Sequence, residues 1–154
     1  MNQPLPALPE AKDTRVHFNV EEAQAGDYQR WARSDSGSSE RRIFDSIGSM
    51  FVFAAALGFA RSTRRPITGR KRDVFRWQNL DEINQTLLRS IAMSATDGGV
   101  EVLRDRGKIA DIVEEFAAAG VDILIAEMGD DPSRDRALEA LARLTSEVAA
   151  ASGS

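Results

Sequence analysis

Most of the chain repeats its apolar residues at intervals of three and four, the spacing of one helix face; a single stretch alternates instead. That stretch is Arg15-Val16-His17-Phe18-Asn19-Val20. Alternation sets Val16, Phe18 and Val20 on one face and Arg15, His17 and Asn19 on the other, the pattern of a half-buried strand. Glu21 to Ala32 then reads as a short helix, weakened by Gly26, with Tyr28 and Trp31 sharing its buried side. Ser34 to Ser39 is a run of small polar residues and predicts a flexible loop.

The strongest hydrophobic segment runs from Arg41 to Phe59, where Ile43, Phe44, Ile47, Met50, Phe51, Ala54, Ala55 and Leu57 keep helical spacing. Its alanines permit close packing, and Gly58 stands near its expected end. Pro66 and Gly69 interrupt the next stretch, so Arg61 to Arg76 reads mostly as loop. Val74 to Trp77 reads as a short extended or turn segment that pins this arm back. Asn79 or Asp81 caps a helix reaching about Thr96, with Ile83, Leu87, Leu88, Ile91 and Ala92 apolar. Asp97-Gly98-Gly99 stops it. A further helix spans about Asp105 to Ala119, Gly120 serves as its C-cap, and Val121 to Met128 reads as another helix. Asp131 and Pro132 open a last helix to about Ala150, with the stripe Leu138, Leu141, Leu144 and Val148.

The predicted fold class is therefore mainly α, a small domain of about five to six helices with one short N-terminal β-strand. Residues 1–13, with three prolines, form a disordered tail. Residues 14–130 form a helical core domain with a basic loop at 60–76, and residues 131–154 a C-terminal amphipathic helix.

Composition narrows the chemistry. Aromatic residues are 6% of the 154, so aliphatic side chains must fill most of the core. Cysteine is absent, which excludes disulfides, thiol nucleophiles and zinc-thiolate sites and fits a cytoplasmic location. The longest apolar run, Met50 to Ala60, is too short to span a bilayer, and the proline-rich N-terminus does not read as a signal peptide. No membrane partner is expected.

Net charge is -4, yet its distribution is uneven. Arg61, Arg64, Arg65, Arg70, Lys71, Arg72 and Arg76 face a single acid in their stretch, Asp73, so the arm is net +6 and the remainder net -10. Such a cluster focuses a positive field even on an acidic protein. Arginine and lysine neutralise phosphates and release counterions, so the arm is the candidate nucleic-acid site, with Trp77 placed to stack on a base or to cover the arm's root. A solvated loop and a dock for an acidic protein are the competing readings of the same charges.

Arg15, His17 and Asn19 are secondary candidates. A strand followed by two helices is the plan of ribbon-helix-helix regulators, which pair strands across a dimer and read bases with the exposed residues. The long Ser34 to Ser39 linker departs from that plan. One histidine and no cysteine argue against a metal site or a nucleophilic triad, and no cofactor is expected. Asp97, Glu101, Asp105, Glu114, Glu115, Glu127, Asp130 and Asp131 read as caps and solvated helix faces rather than as a nuclease metal cluster.

Three segments together resemble a known family. Ile43-Phe44-Asp45-Ser46, then Phe51-Val52-Phe53-Ala54-Ala55-Ala56-Leu57-Gly58-Phe59, then a basic arm with Arg65-Pro66-Ile67 are similar to the small accessory proteins of bacterial DNA phosphorothioation (Dnd) systems, Dnd system-associated protein 4. Val74 to Ala95 and Ile112 to Met128, with Glu114-Glu115-Phe116-Ala117, continue the likeness, which covers roughly Arg41 to Met128. The segments before Arg15 and after Pro132 read as departures from it. The resemblance implies a role in anti-phage defence, in or beside DNA modification or restriction, and supplies no catalytic residues. The expected function is a non-catalytic accessory component that contacts DNA backbone or a DNA-bound partner. Its expected partners are DNA and other defence-system proteins, with a homodimer as a further candidate. The alternatives are a structural adaptor without nucleic-acid affinity and the ribbon-helix-helix regulator.

Overall fold

The computed structural model describes residues 17–32, 43–97, 99–129 and 134–152. Among these, β1 (His17–Glu21) leads through a 3-10 turn into α1 (Ala25–Ala32), and α2 (Ile47–Ala60) comes next. The chain continues through β2 (Lys71–Arg76), α3 (Glu82–Ser94), α4 (Arg106–Met128) and α5 (Arg134–Ser152). The mainly helical class is as predicted. The expected tail at 1–13, the Ser34 to Ser39 loop and the Asp131-Pro132 helix start lie outside the described residues.

Two helices form the centre. α2 is apolar on all sides, which marks a helix buried on every face, and it is capped by Ser46, whose side chain accepts from the Ser49 amide at 3.0 Å. It therefore starts six residues later than the apolar pattern suggested. Ile43 and Phe44 instead donate their amides to the Trp31 carbonyl at 2.8 and 2.9 Å, joining α1 to α2.

α4 crosses α2 at glycines. A Cβ on Gly120 would lie 1.8 Å from the Ala54 oxygen, and one on Gly58 would lie 2.2 Å from the Phe116 oxygen. Pairing 54 with 120 and 58 with 116 makes the two helices antiparallel at the contact. Gly120 is thus no C-cap: α4 runs unbroken through it, and the two helices expected on either side are one. The stop falls at Gly129, whose φ of 81° places it in the left-handed region suited to glycine.

α2 ends in a Schellman turn. The Ser62 amide donates to Phe59 O at 3.0 Å and the Thr63 amide to Gly58 O at 2.8 Å, with Ser62 at φ 53°. Gly58, expected near the stop, serves packing, and a serine occupies the left-handed position.

The sheet corrects two expectations. β1 pairs antiparallel with β2, so the second half of the basic arm is strand rather than loop. The register sets Phe18 against Phe75 and Asn19 against Asp73, with an irregularity between Phe18 and Asn19. Asn19 does not join an exposed polar face: Phe18, Asn19 and Val20 are all buried, and the Asn19 amide donates to Glu114 Oε2 of α4 at 2.8 Å. Strand β1 thus packs against the edge of α4, where strict alternation does not apply.

α5 lies on α2 and α4, burying Ala137, Ala140 and Leu144, while Leu138 of the expected stripe is 41% exposed. Among the described residues, no helix is long and apolar enough to cross a membrane.

Candidate nucleic-acid interface

The arm has a rigid root. Phe75 stacks on Phe18 with ring centroids 4.8 Å apart and meets Phe51 edge-on at 5.1 Å. Trp77 lies 4.7 Å from Phe18. Both aromatic residues of the predicted pin are buried, so Trp77 covers the arm's root and presents no ring face for base stacking. The Arg89 guanidinium of α3 lies 5.2 Å from the Trp77 ring, and Gln85 Nε2 donates to the Trp77 and Leu80 carbonyls at 3.0 Å. β2 is thereby fastened to β1 on one side and to α3 at its end.

The seven cations of the arm fall into two groups. The first group is ion-paired within the chain. Arg61 Nε meets Glu147 Oε2 of α5 at 2.6 Å, and Arg64 Nε meets Glu115 Oε1 of α4 at 2.9 Å. Arg65 bridges Glu21 of β1 and Asp122 of α4, each at 2.7 Å. Lys71 Nζ is 3.4 Å from Glu114 Oε1, a carboxylate whose side chain is wholly buried. Hydrogen bonds to their carboxylates raise the pKa of Arg61 and Arg65, and the Arg61 guanidinium holds the Glu147 carboxyl below its ordinary range.

Backbone and ring contacts fix the same segment. The Arg65 amide donates to Glu115 O at 3.2 Å, and the Arg64 guanidinium lies 5.6 Å from the Phe116 ring. Residues 61–65 therefore run along α4 as a strap.

The second group is Arg70, Arg72 and Arg76. All three are exposed, and among the described residues none has an acidic partner. Arg70 closes the turn into β2, its carbonyl accepting from the Glu22 amide at 2.8 Å. Arg72 and Arg76 stand on β2, Arg76 directly opposite the half-buried His17 of β1. The structure thus sets three guanidinium groups, without acidic partners among the described residues, on a turn and strand anchored to β1 and α3. Asp73, also exposed, is the acid between them.

The secondary candidates separate. His17 adjoins Arg76, Asn19 is buried, and Arg15 lies outside the described residues. Since β2 of the same chain occupies one edge of β1 and Glu114 takes the Asn19 amide, strand pairing across a dimer is not the arrangement of β1 here. The acids of the conceivable metal cluster are dispersed. Asp105 caps α4, accepting from the Lys108 amide at 3.0 Å; Glu115 pairs with Arg64; Glu127 pairs with Arg143 and lies 3.8 Å from Arg61 Nη2; Asp130 and Asp131 are outside the described residues.

Sequence reasoning missed Arg89 and the arm's acidic partners. Arg89 is twelve residues beyond Trp77 and carries no local signal. Glu115 reads as a solvated helix face, and Asp122 and Glu147 carry no local signal, because only the fold brings 115 and 122 beside 64 and 65.

Comparison with known proteins gives a match between residues 28–152 and the family described as DNA sulphur modification system-associated protein 4. The match reaches through α5, so the helix after Pro132 belongs with the rest and is not a departure. No curated protein and no solved structure matches the chain.

Proposed function

The chain belongs to the DNA sulphur modification system-associated protein 4 family, and from that membership we propose that it is a non-catalytic accessory component of the system. On this reading it contacts DNA backbone through Arg70, Arg72 and Arg76 and serves in anti-phage defence. The observation that carries the reading is the exposure of these three arginines, without acidic partners among the described residues, on the turn into β2 and on β2 itself, whose other side is held in the aromatic core. Backbone phosphate is the ligand that three exposed guanidinium groups on an anchored backbone suit best, each forming charge-assisted bonds without reading sequence.

The test is binding of duplex DNA by the full chain at two salt concentrations. Binding that weakens as salt rises and is lost in R70A/R72A/R76A supports the proposal. Absence of binding at low salt overturns direct contact.

A protein-docking reading has its own observation. Ile83 and Leu87 stand one turn apart on α3 and are 79% and 38% exposed, whereas Leu144 of the expected α5 docking stripe is buried. If I83D/L87D abolishes capture of another protein of the modification system while R70A/R72A/R76A does not, the adaptor role takes precedence.

A further inference from the structure

The four paired cations are not distributed at random along the arm. Arg61, Arg64 and Arg65 lie on the strap against α4 and α5, each with a carboxylate at 2.6 to 2.9 Å. A carboxylate at that distance cancels most of the guanidinium's field at the range where an approaching phosphate first feels it, since solvent and salt screen what remains. A phosphate that displaced the carboxylate would leave an acid beside its own negative charge, an arrangement that opposes binding. The strap is also positioned by the Arg65 amide on Glu115 O and by the Phe116 ring under Arg64, so its cations do not swing free of the body together.

We infer that Glu21, Glu115, Asp122 and Glu147 form an internal counter-ion set that withholds Arg61, Arg64 and Arg65 from a polyanion. This rests on the reading that the arm meets nucleic acid. Its consequence is a ceiling on the phosphates the arm neutralises, set by Arg70, Arg72 and Arg76. A contact of that size is weak alone and strongly reinforced by a partner already on DNA, because a second linked contact raises overall avidity without new chemistry. The acids thus tune the chain toward acting within an assembly.

The salt dependence of binding counts neutralised phosphates. With a slope of about -0.9 per phosphate on duplex DNA, three contacts give a slope of log affinity against log salt near -2.7, and six give about -5.4. The experiment is fluorescence anisotropy of the full chain on labelled duplex DNA over a salt series. E21Q/E115Q/D122N/E147Q should steepen the slope from about -2.7 to about -4.5 and tighten binding at low salt, freeing Arg64 and Arg65 while Glu127, 3.8 Å from Arg61 Nη2, still holds Arg61. E82Q/E101Q/D135N/E139Q changes the net charge equally at exposed sites outside the arm's ion pairs, and its slope should stay at the wild-type value. Circular dichroism checks that each variant is folded. If the first variant is unfolded, R64A/R65A decides: an unchanged slope supports the inference and a shallower slope overturns it.

A wild-type slope already at about -4.5 or steeper, or a slope that the four substitutions leave unchanged, overturns the inference while leaving DNA binding by the arm intact. No binding by either protein at low salt overturns the underlying reading and the inference with it. Binding by the acid-neutralised variant alone supports the counter-ion set and refutes direct contact by the wild-type chain.

Discussion

Gly120 of α4 rests on the backbone of Ala54 in α2 so closely that a Cβ at 120 would fall 1.8 Å from the Ala54 oxygen. The obstacle is backbone, not a side chain that turns aside, so a methyl group there must drive the two central helices apart. G120A should therefore destabilise the protein by about 3 kcal/mol or more, at or above the usual range for overpacking. Gly26 supplies the contrast, since it lies in α1 with nothing within 4 Å of its would-be Cβ. G26A should stabilise by about 0.5 kcal/mol through helix propensity and a less free unfolded chain. Urea midpoints for the two variants should move in opposite directions.

Ser62 holds φ 53° at the turn that ends α2, a conformation in which glycine meets no steric penalty. S62G should retain both turn hydrogen bonds and raise stability by about 0.5–1 kcal/mol, the unfolded-state entropy of glycine offsetting part of the relieved strain. A lower melting temperature in S62G would show that the serine side chain contributes more than its backbone costs.

Distance along the chain separates the legible features from the hidden ones. Helical spacing and the capping residue Asp81 depend on neighbours within a turn or two, and they placed α3 closely. The aromatic pin was legible because Phe75 and Trp77 are two bulky apolar residues after a polar run. Gly120 misled because glycine has one meaning by local rules, a stop, and another when a second helix passes within contact of it. The arm misled for the same reason. Its charges were visible, but β2 forms only because β1 lies some fifty residues earlier, and Arg64 and Arg65 find their acids on a helix some fifty residues later. The local pattern therefore shows seven equivalent cations, and the fold divides them.

Tyr28 is the chain's single tyrosine, and its hydroxyl is buried with no hydrogen-bond partner among the described residues. Burial raises the pKa of its phenol above the ordinary value of 10.0, and the Glu114 and Asp27 carboxylates add to the shift. The folded protein keeps the proton while the unfolded chain releases it near pH 10, so the stability contributed is complete below about pH 10 and declines above it. The slope is about 1.4 kcal/mol per pH unit once the unfolded phenol is ionised. In an alkaline titration the tyrosinate absorbance should rise together with loss of helicity, and not before it. Y28F should remove this tyrosine-linked decline and cost little at neutral pH, because the hydroxyl it deletes is unsatisfied.

Glu114 joins the two halves of the site, its Oε2 taking the Asn19 amide at 2.8 Å and its Oε1 lying 3.4 Å from Lys71 Nζ. Removing the carboxylate strands a buried amide, at a cost of about 1–3 kcal/mol, and leaves space in a packed helix interface. Lys71 is partly exposed and regains water, so its loss of partner adds less. E114A should therefore destabilise by about 2–4 kcal/mol, and E114Q by clearly less, since the amide oxygen still accepts from Asn19. Hydrogen exchange separates a local role from a global one. If Glu114 fastens β1 to α4, the amides of Asn19 and of the β1–β2 pairing should lose protection in E114A before those of α2 and α4 do. Uniform loss across all elements would place the effect in the core packing and leave β2, with Arg72 and Arg76 on it, held by its pairing with β1, the Phe75 ring contacts and the α3 contacts at Trp77.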